Sequence, residues 1–229
     1  MSEPKVGMRL RAAMISCKAR DSVRAETLTG FAGTDWGDDL SVVMDESDYE
    51  LPWRRTEDTF LRALRAFAAD AASDFLLILE DDVDLNRRLR HNLERWPPLV
   101  AAATQPSAHF IGSLFHAGQP LLWLDRTRRA RVAAPEGFWG GQALVVSRTT
   151  ARHVLARWEA GRTPHDMQLP LLAAEVSPVY FHTPSLAQQR DVPSTWGPGS
   201  HRALDYDPAF VAPEPQRGNR RWSHGLTDR

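Results

Sequence analysis

The stretch Phe75–Asp84, with the sequence FLLILEDDVD, decides the fold of this 229-residue chain. Five consecutive apolar residues, Phe75–Leu79, are typical of a β-strand that is covered on both faces. The strand runs directly into Glu80-Asp81-Asp82-Val83-Asp84, which places four carboxylates within five residues. In open α/β sheets, ligands bind at the carboxyl ends of the strands. The stretch therefore predicts a buried strand with an acidic binding site at its end.

Four carboxylates so close together repel one another, and this repulsion raises their pKa values unless a cation offsets it. A divalent cation with a preference for oxygen ligands, such as Mg²⁺ or Mn²⁺, would offset it, and such ions keep positions open for phosphates. The alternative is an acidic helix N-terminus, because Leu85, Leu89 and Leu93 follow at helical spacing and carboxylates favour that end of a helix. That alternative explains one or two of the four acids.

On either side of this stretch, short apolar runs alternate with amphipathic segments. Further strands are predicted at Leu10–Cys17, Leu40–Met44, His109–Phe115, Leu121–Leu124, Gln142–Val146 and Val179–Phe181. Helices are predicted from Thr56 onward, from Leu85 to a stop at Pro97-Pro98, over Ser147–Trp158 and over Asp166–Ala174. This alternation predicts an α/β fold with a mixed, mostly parallel central sheet and helices on both faces. Residues 1–206 are predicted as one domain, and residues 207–229 as a tail that is ordered only if it docks.

The composition excludes several classes of protein. With 28 basic and 29 acidic residues the chain lacks the basic excess of a nucleic-acid binder. The single cysteine, Cys17, excludes an internal disulfide framework and a cysteine zinc cluster. No apolar stretch approaches the roughly 18–20 residues that span a bilayer, and the first residues lack a signal peptide, so a cytoplasmic bacterial-type protein is expected. Nearly all basic residues are arginine, which indicates either GC-rich codon usage or bidentate binding of phosphate or carboxylate.

Five pieces of the chain, in the same order, resemble GT-A-type glycosyltransferases, which use a nucleotide-sugar donor and a divalent metal. The similar pieces are Phe75–Asp82, Arg24 with Leu28, Gly112-Ser113-Leu114, Trp139-Gly140-Gly141-Gln142-Ala143 followed by Ser147-Arg148, and Pro184-Ser185-Leu186. The resemblance spans roughly residues 10–190, and it is nearest to bacterial transferases of the lipopolysaccharide and collagen-galactosyl type. It implies a Rossmann-like GT-A fold and a UDP-sugar donor.

The resemblance also implies roles for the acidic cluster. Asp82 would bind Mn²⁺ or Mg²⁺, Asp84 would be a second metal ligand, and Glu80 would lie near the ribose of the donor. Asp81 would lie beside the donor or cap the following helix. The chain departs from the family after Pro-Ser-Leu, where the family's histidine is Gln189. His182 or His201 could replace that histidine in a metal or phosphate contact; the alternative is that each is a lone surface histidine.

Asp166 is the predicted general base. It lies at the start of a predicted helix, where the family has a later acidic residue, and an inverting transfer needs one carboxylate near the acceptor hydroxyl. The alternative is plain N-capping of that helix, which aspartate also favours.

Other residues are predicted to contact the two substrates. Arg20 and Arg24 would contact the donor diphosphate or base, and Asp45 would contact the nucleoside, although Asp45 could equally be a turn carboxylate. The backbone at Gly140, Gly141 and Gln142 would approach the donor closely, and Trp139 would stack on the acceptor sugar; a tight turn explains the glycines equally well.

The run Arg126–Arg131 carries four arginines in six residues. It is predicted to be a solvated hairpin tip or, through Arg128, a contact for an anionic acceptor.

The leading functional hypothesis is a metal-dependent transfer of a sugar from a UDP-sugar to an acceptor hydroxyl, with inversion. Retention is the alternative, because the sequence identifies no nucleophile. The acceptor could be a glycan, a lipid-linked molecule, a peptide or a small molecule. One alternative is a metal-dependent nucleotidyltransferase, but Ser16-Cys17-Lys18-Ala19-Arg20 lacks the glycine-rich phosphate loop expected there. The other alternative is a nucleotide- or glycan-binding module of the same fold that has lost catalysis.

Overall fold

The structure is a computed structural model that describes residues 7–118, 122–125, 130–138, 140–193 and 201–214. The strands in these ranges are β1 (Leu10–Ser16), β2 (Leu40–Met44), β3 (Phe75–Leu79), β4 (Val83–Leu85), β5 (Ile111–Ser113), β6 (Leu122–Asp125), β7 (Ala130–Ala133), β8 (Ala143–Ser147), β9 (Val179–His182) and β10 (Ala187–Gln189). The helices are α1 (Asp21–Ala32), α2 (Pro52–Ala69), α3 (Leu89–Leu93), α4 (Pro97–Ala103), α5 (Arg148–Arg157) and α6 (His165–Ala174), and 3₁₀ turns occur at Lys18–Arg20 and Pro135–Gly137.

Eight strands form one sheet in the order β2-β1-β3-β8-β5-β9-β7-β6, and β10 pairs with β4 in a separate two-stranded ladder. Strand β1 is parallel to both β2 and β3, and β5 is parallel to β9. Strand β8 is antiparallel to both of its neighbours, and β7 is antiparallel to β6 and β9. Only β7 and β8 therefore oppose the common strand direction within this sheet of the described chain. The predicted mixed, mostly parallel sheet is confirmed.

Helices cover both faces of the sheet because successive residues of its central strands point to opposite sides. Leu77 and Leu79 of β3 pack on the face covered by α1, α3 and α4. Leu76 and Ile78 pack on the opposite face, against α2, α5 and α6. All five residues of β3 are buried, and each such side chain contributes roughly 1.5–3 kcal/mol when it leaves water. The fold is thus the α/β arrangement with two helical layers that the sequence predicts.

Two helix predictions are wrong at their boundaries. Helix α2 begins at Pro52 rather than at Thr56, because proline at the first helical position gives up no intrahelical hydrogen bond. For the same reason Pro97-Pro98 does not end a helix but begins α4.

The helix predicted directly after Asp84 is also absent at that point. Residues Val83–Leu85 form β4 instead, and α3 begins only at Leu89. The same core buries Leu85, Leu89 and Leu93. Their spacing therefore reflects burial of each side chain and not one continuous helix.

Residues 207–214, part of the predicted tail, lie against α3 and the segment before it. Asn86 Nδ2 donates hydrogen bonds to the carbonyl oxygens of Asp207 and Phe210, at 2.8 and 3.0 Å. Asn92 Oδ1 accepts a bond of 2.7 Å from the backbone N–H of Ala212. Because both asparagines are fully buried, these bonds satisfy polar groups that would otherwise be costly to bury. The domain boundary at residue 206 stays a prediction.

Among the described residues, no helix is both long enough and apolar enough to cross a bilayer.

Gly112 in β5 allows the sheet to pack directly on a tryptophan. A Cβ at this position would lie 2.3 Å from Cη2 of the Trp96 ring, and Trp96 is fully buried. We expect Gly112→Ala to lower the free energy of unfolding by about 2 kcal/mol because the core must shift to admit the methyl group. Urea unfolding measures this change.

Gly30 in α1 provides the matched control, because a Cβ there meets nothing within 4 Å. Gly30→Ala should raise the free energy of unfolding by about 0.5–1 kcal/mol, the usual gain in a helix interior. Equal effects of the two substitutions would contradict the packing argument.

Candidate functional site

The carboxyl ends of β1, β2 and β3 open into one cleft of about 970 Å³. Parallel neighbouring strands end at the same edge of a sheet, so the residues that follow them share this cleft. The predicted site residues that line it are Arg20, Asp45, Glu80, Asp81, Asp82, Gly140, Gly141, Gln142 and Asp166. The structure therefore brings together the predicted base, most of the predicted donor contacts and one predicted metal ligand.

Arg20 lies between the first two aspartates of the cluster. Its Nε donates to Asp81 Oδ1 at 2.7 Å, and its Nη2 donates to Asp82 Oδ2 at 2.9 Å. The arginine side chain is 10% exposed and each aspartate side chain is 7% exposed. Such buried, charge-assisted bonds are strong and hold all three groups in place.

Both carboxylate oxygens of Asp81 accept hydrogen bonds from neighbouring side chains. In addition to Arg20, its carboxylate accepts a 2.6 Å hydrogen bond from Ser16 Oγ at the end of β1. Its carbonyl oxygen accepts a 2.6 Å bond from Thr27 Oγ1 of α1. No helix follows Asp81 directly, so the predicted capping role is wrong, and these contacts orient the start of the acidic cluster.

Asp82 keeps one oxygen available. Its Oδ2 accepts from Arg20 and, at 3.3 Å, from Gln189 Nε2. Its Oδ1 is buried and has no hydrogen-bond partner among the described residues. Burial raises the pKa of Asp82, although Arg20 opposes the shift. An unsatisfied carboxylate oxygen in the cleft wall is suited to a cation supplied from outside the chain.

Glu80 follows β3 directly and lines the cleft. Burial raises its pKa well above the ordinary value, and the charges of Asp82 and Asp166 raise it further. A Cβ on Gly141 would lie 3.2 Å from Glu80 Oε1 and 2.7 Å from His165 Nε2. The glycine thus permits these two protein side chains to approach closely, and its approach to the donor stays a prediction.

Asp166 lies in the first turn of α6, on the wall that faces the acidic cluster. The residue that caps this helix is Pro164, so Asp166 is not its N-cap. Asp166 Oδ1 is buried, and no other group in the described parts of the chain bonds to it. The neighbouring His165 is buried with its ring centroid 4.7 Å from that of Phe60, and burial lowers its pKa. Asp166 is therefore the carboxylate with spare hydrogen-bonding capacity on this wall.

Three predicted site residues do not line the cleft. Arg24 donates to Ser16 Oγ and to the carbonyl oxygen of Cys17, both at 3.1 Å, so it supports the end of β1. Asp84 is half exposed and lies 3.7 Å from Arg190 Nη1. It points away from its buried neighbours in β4 because side chains alternate along a strand.

His182 is the third of these residues, and it is part of the core. Its ring packs 5.2 Å from the ring of Trp96, and its Nδ1 lies 2.6 Å from the carbonyl oxygen of Pro184. The structure does not bring His182 to the acidic cluster, so its prediction as a metal ligand is not retained. Trp139 and Arg128 lie outside the described residues.

Sequence reasoning missed His165 and did not foresee the position of Gln189. Gln189 reaches Asp82, and its Oε1 accepts from the backbone N–H of His201 at 3.2 Å. His165 and Gln189 both line the cleft, as does His201. The position of His165 next to Asp166 at a helix start could have indicated His165. The departure from the family motif could have indicated the position of Gln189.

The described residues contain no group of three or more His, Cys, Asp or Glu side chains arranged to hold a metal ion. A cation at Asp82 would therefore need further ligands from a bound substrate or from water. Mg²⁺ and Mn²⁺ commonly bind in this way, through one or two carboxylates and the phosphates of a substrate.

Comparison with known proteins gives similarities of fold at low identity. No protein-family model and no curated protein matches the sequence. The chain is similar to A197 from STIV, with 13% identity and a TM-score of 0.45 over 90% of this chain and 99% of that one. It is also similar to the apo structure of WbbM, a bifunctional glycosyltransferase, with 9% identity and a TM-score of 0.44. That match covers 79% of this chain and 40% of WbbM.

Proposed function

We propose that this chain transfers a sugar from a nucleotide-sugar, in particular a UDP-sugar, to an acceptor hydroxyl, with a divalent cation and with inversion. The observation that carries the proposal is the shared cleft, in which the acidic end of β3 faces Asp166 and adjoins Arg20. Glycosyl transfer needs charge neutralisation on a departing diphosphate, a base for the acceptor and a slot that excludes water. The first two needs have candidate groups in this cleft.

The charge balance of the cleft supports a divalent cation. The acidic residues that line its described part are Asp45, Glu50, Glu80, Asp81, Asp82, Glu136 and Asp166, and they face two arginines, Arg20 and Arg55. Such an excess of carboxylates would repel a diphosphate unless a further cation entered with it. Asp82 would hold Mn²⁺ or Mg²⁺ through its unpaired Oδ1. Bound there, the ion would neutralise charge as it develops on the leaving diphosphate.

Asp166 is the base in this proposal. Its unpaired oxygen can accept the proton of an acceptor hydroxyl while that hydroxyl attacks the donor sugar. Burial and the neighbouring charges of Asp82 and Asp166 raise the pKa of Glu80, so Glu80 is less suited than Asp166 to act as the charged base. Because no second carboxylate is assigned as a nucleophile, a single displacement with inversion fits this assignment.

The remaining lining residues would place the donor. Asp45 follows β2 and would contact the nucleoside, while Gly140, Gly141 and Gln142 form the opposite wall. A cleft of about 970 Å³ lies within the usual range for sites that bind molecules of drug size or larger. Trp139 and Arg128 stay proposed contacts for the acceptor, which could be a glycan, a lipid-linked molecule, a peptide or a small molecule.

Thermal unfolding in the presence of nucleotides tests the proposal directly. We expect UDP with Mn²⁺ to raise the melting temperature, because a ligand at one hundred times its Kd stabilises the folded state by about 2.7 kcal/mol. UDP with EDTA, or Mn²⁺ alone, should raise it much less. If none of UDP, ADP, GDP and CMP shifts the transition with either cation, the proposed function is wrong. Stabilisation by UDP without turnover of any UDP-sugar would instead indicate the inactive binding module.

A further inference from the structure

Arg20 occupies the region where the divalent cation would bind. Each of its three guanidinium nitrogens donates a hydrogen bond, to Asp81, to Asp82 and, at 2.8 Å, to the carbonyl oxygen of Pro193. The side chain is nine-tenths buried, so solvent screens its charge weakly. The two aspartates therefore already have a counter-cation that is part of the chain.

This arrangement sets a condition on metal binding. A metal ion on Asp82 Oδ1 would share one carboxylate with the guanidinium, whose Nη2 is 2.9 Å from Oδ2. Two cations on one buried carboxylate repel each other strongly because the local dielectric is low. We therefore expect the metal to bind Asp82 more tightly when the guanidinium leaves this carboxylate for another anion.

A diphosphate is an anion of the right kind for this exchange. The planar guanidinium binds phosphate oxygens in a bidentate manner as well as it binds carboxylates, and Arg20 lines the cleft. Arg190, another arginine nearby, donates to the carbonyl oxygens of Val23 and Asp81 at 2.7 and 3.1 Å. It is outside the cleft lining and cannot take over this role without breaking those bonds.

We propose that Arg20 makes metal binding depend on the donor: it neutralises Asp81 and Asp82 in the free protein, then transfers to the donor diphosphate as the metal binds Asp82. Arg20 is a positioning residue in this scheme, and its exchange of partners orders the assembly of the site. The inference rests on the proposed function, since it takes a diphosphate as the incoming anion.

Binding of Mn²⁺, followed by electron paramagnetic resonance without any sugar, tests this inference. The wild-type protein should bind Mn²⁺ weakly alone and at least about tenfold more tightly with saturating UDP. Arg20→Gln should bind Mn²⁺ alone at least about tenfold more tightly than the wild type, because the competing charge is gone. UDP should then strengthen Mn²⁺ binding to this variant much less.

Two further variants act as controls. Arg55→Gln removes the same charge from the same cleft, but Arg55 pairs with Asp45 at 3.9 Å rather than with the acidic cluster, so Mn²⁺ binding without nucleotide should change little. Arg20→Lys keeps the charge, so Mn²⁺ binding without nucleotide should stay weak. If Arg20→Gln fails to fold, the same comparison uses Arg20→Gln with Asp81→Asn, which removes both sides of one ion pair.

The outcomes separate this inference from the proposed function. If UDP and Mn²⁺ bind together but removal of Arg20 leaves Mn²⁺ affinity unchanged or lower, the role of Arg20 is wrong and the function stands. If no nucleotide binds while the Arg20→Gln variant gains Mn²⁺ affinity, the counter-cation role stands and the function is wrong.

Discussion

Replacement of Asp166 by asparagine is expected to lower turnover by about two to four orders of magnitude, the range that a general base contributes. Asparagine keeps the size of the side chain but cannot accept the proton of an attacking hydroxyl. The N-cap position of α6 is Pro164 and not Asp166, so the change removes no N-cap hydrogen bond from that helix. Release of UDP from a panel of UDP-sugars, with and without acceptor glycans, measures the turnover.

The matched control for this substitution is Glu136→Gln. Glu136 is an exposed carboxylate on the same cleft, and its loss should leave turnover close to that of the wild type. UDP with Mn²⁺ should stabilise the Asp166→Asn variant as it stabilises the wild type, because donor binding precedes proton transfer. An Asp166→Asn variant with wild-type turnover would remove Asp166 as the base.

Replacement of Asp82 by asparagine is expected to abolish the Mn²⁺-dependent part of the stabilisation by UDP. The substitution removes the buried oxygen that has no partner in the described chain, and a neutral amide is a much weaker ligand for Mn²⁺ or Mg²⁺ than a carboxylate. Turnover should fall with it, by at least about a hundredfold, if the cation stabilises the leaving diphosphate. Titration with UDP at fixed Mn²⁺, followed by calorimetry, measures the loss.

Asp84→Asn is the control for Asp82→Asn, because both remove one charge from the same five residues. Asp84 is half exposed and lies near Arg190, so its loss should leave the response to UDP and Mn²⁺ nearly unchanged. If the two substitutions have equal effects, the cation is held by the charge of the whole cluster and not by Asp82.

Local sequence patterns were sufficient to predict most of the secondary structure. The strands β2 and β3 have the predicted bounds, and β1 differs by one residue, because continuous apolar runs have few alternatives to a buried strand. The start of α2 and the segment after Asp84 were predicted wrongly. After Asp84 the decisive contacts, such as the pairing of β4 with β10, join residues about a hundred positions apart, whereas at α2 the helix-starting role of Pro52 was overlooked.

In the candidate site, too, one part could be predicted from the sequence and another part could not. Strand order alone accounts for the meeting of Asp45, Glu80 and the end of β1 at one edge of the sheet. The partners of each carboxylate could not be predicted, because they come from distant elements. Arg20 is 61 positions from Asp81, and Gln189 is 107 positions from Asp82.

By itself, the sequence determined that this protein builds a buried strand with four carboxylates at its end, within an α/β sheet covered on both faces. Apolar runs and charge density are properties of neighbouring residues, so they need no knowledge of the rest of the chain. Only the tertiary structure decided that Asp82 retains a free oxygen in the cleft, that Asp84 points away, and that Arg20 neutralises the cluster. Those outcomes depend on which distant groups the packed sheet and helices bring within hydrogen-bond distance.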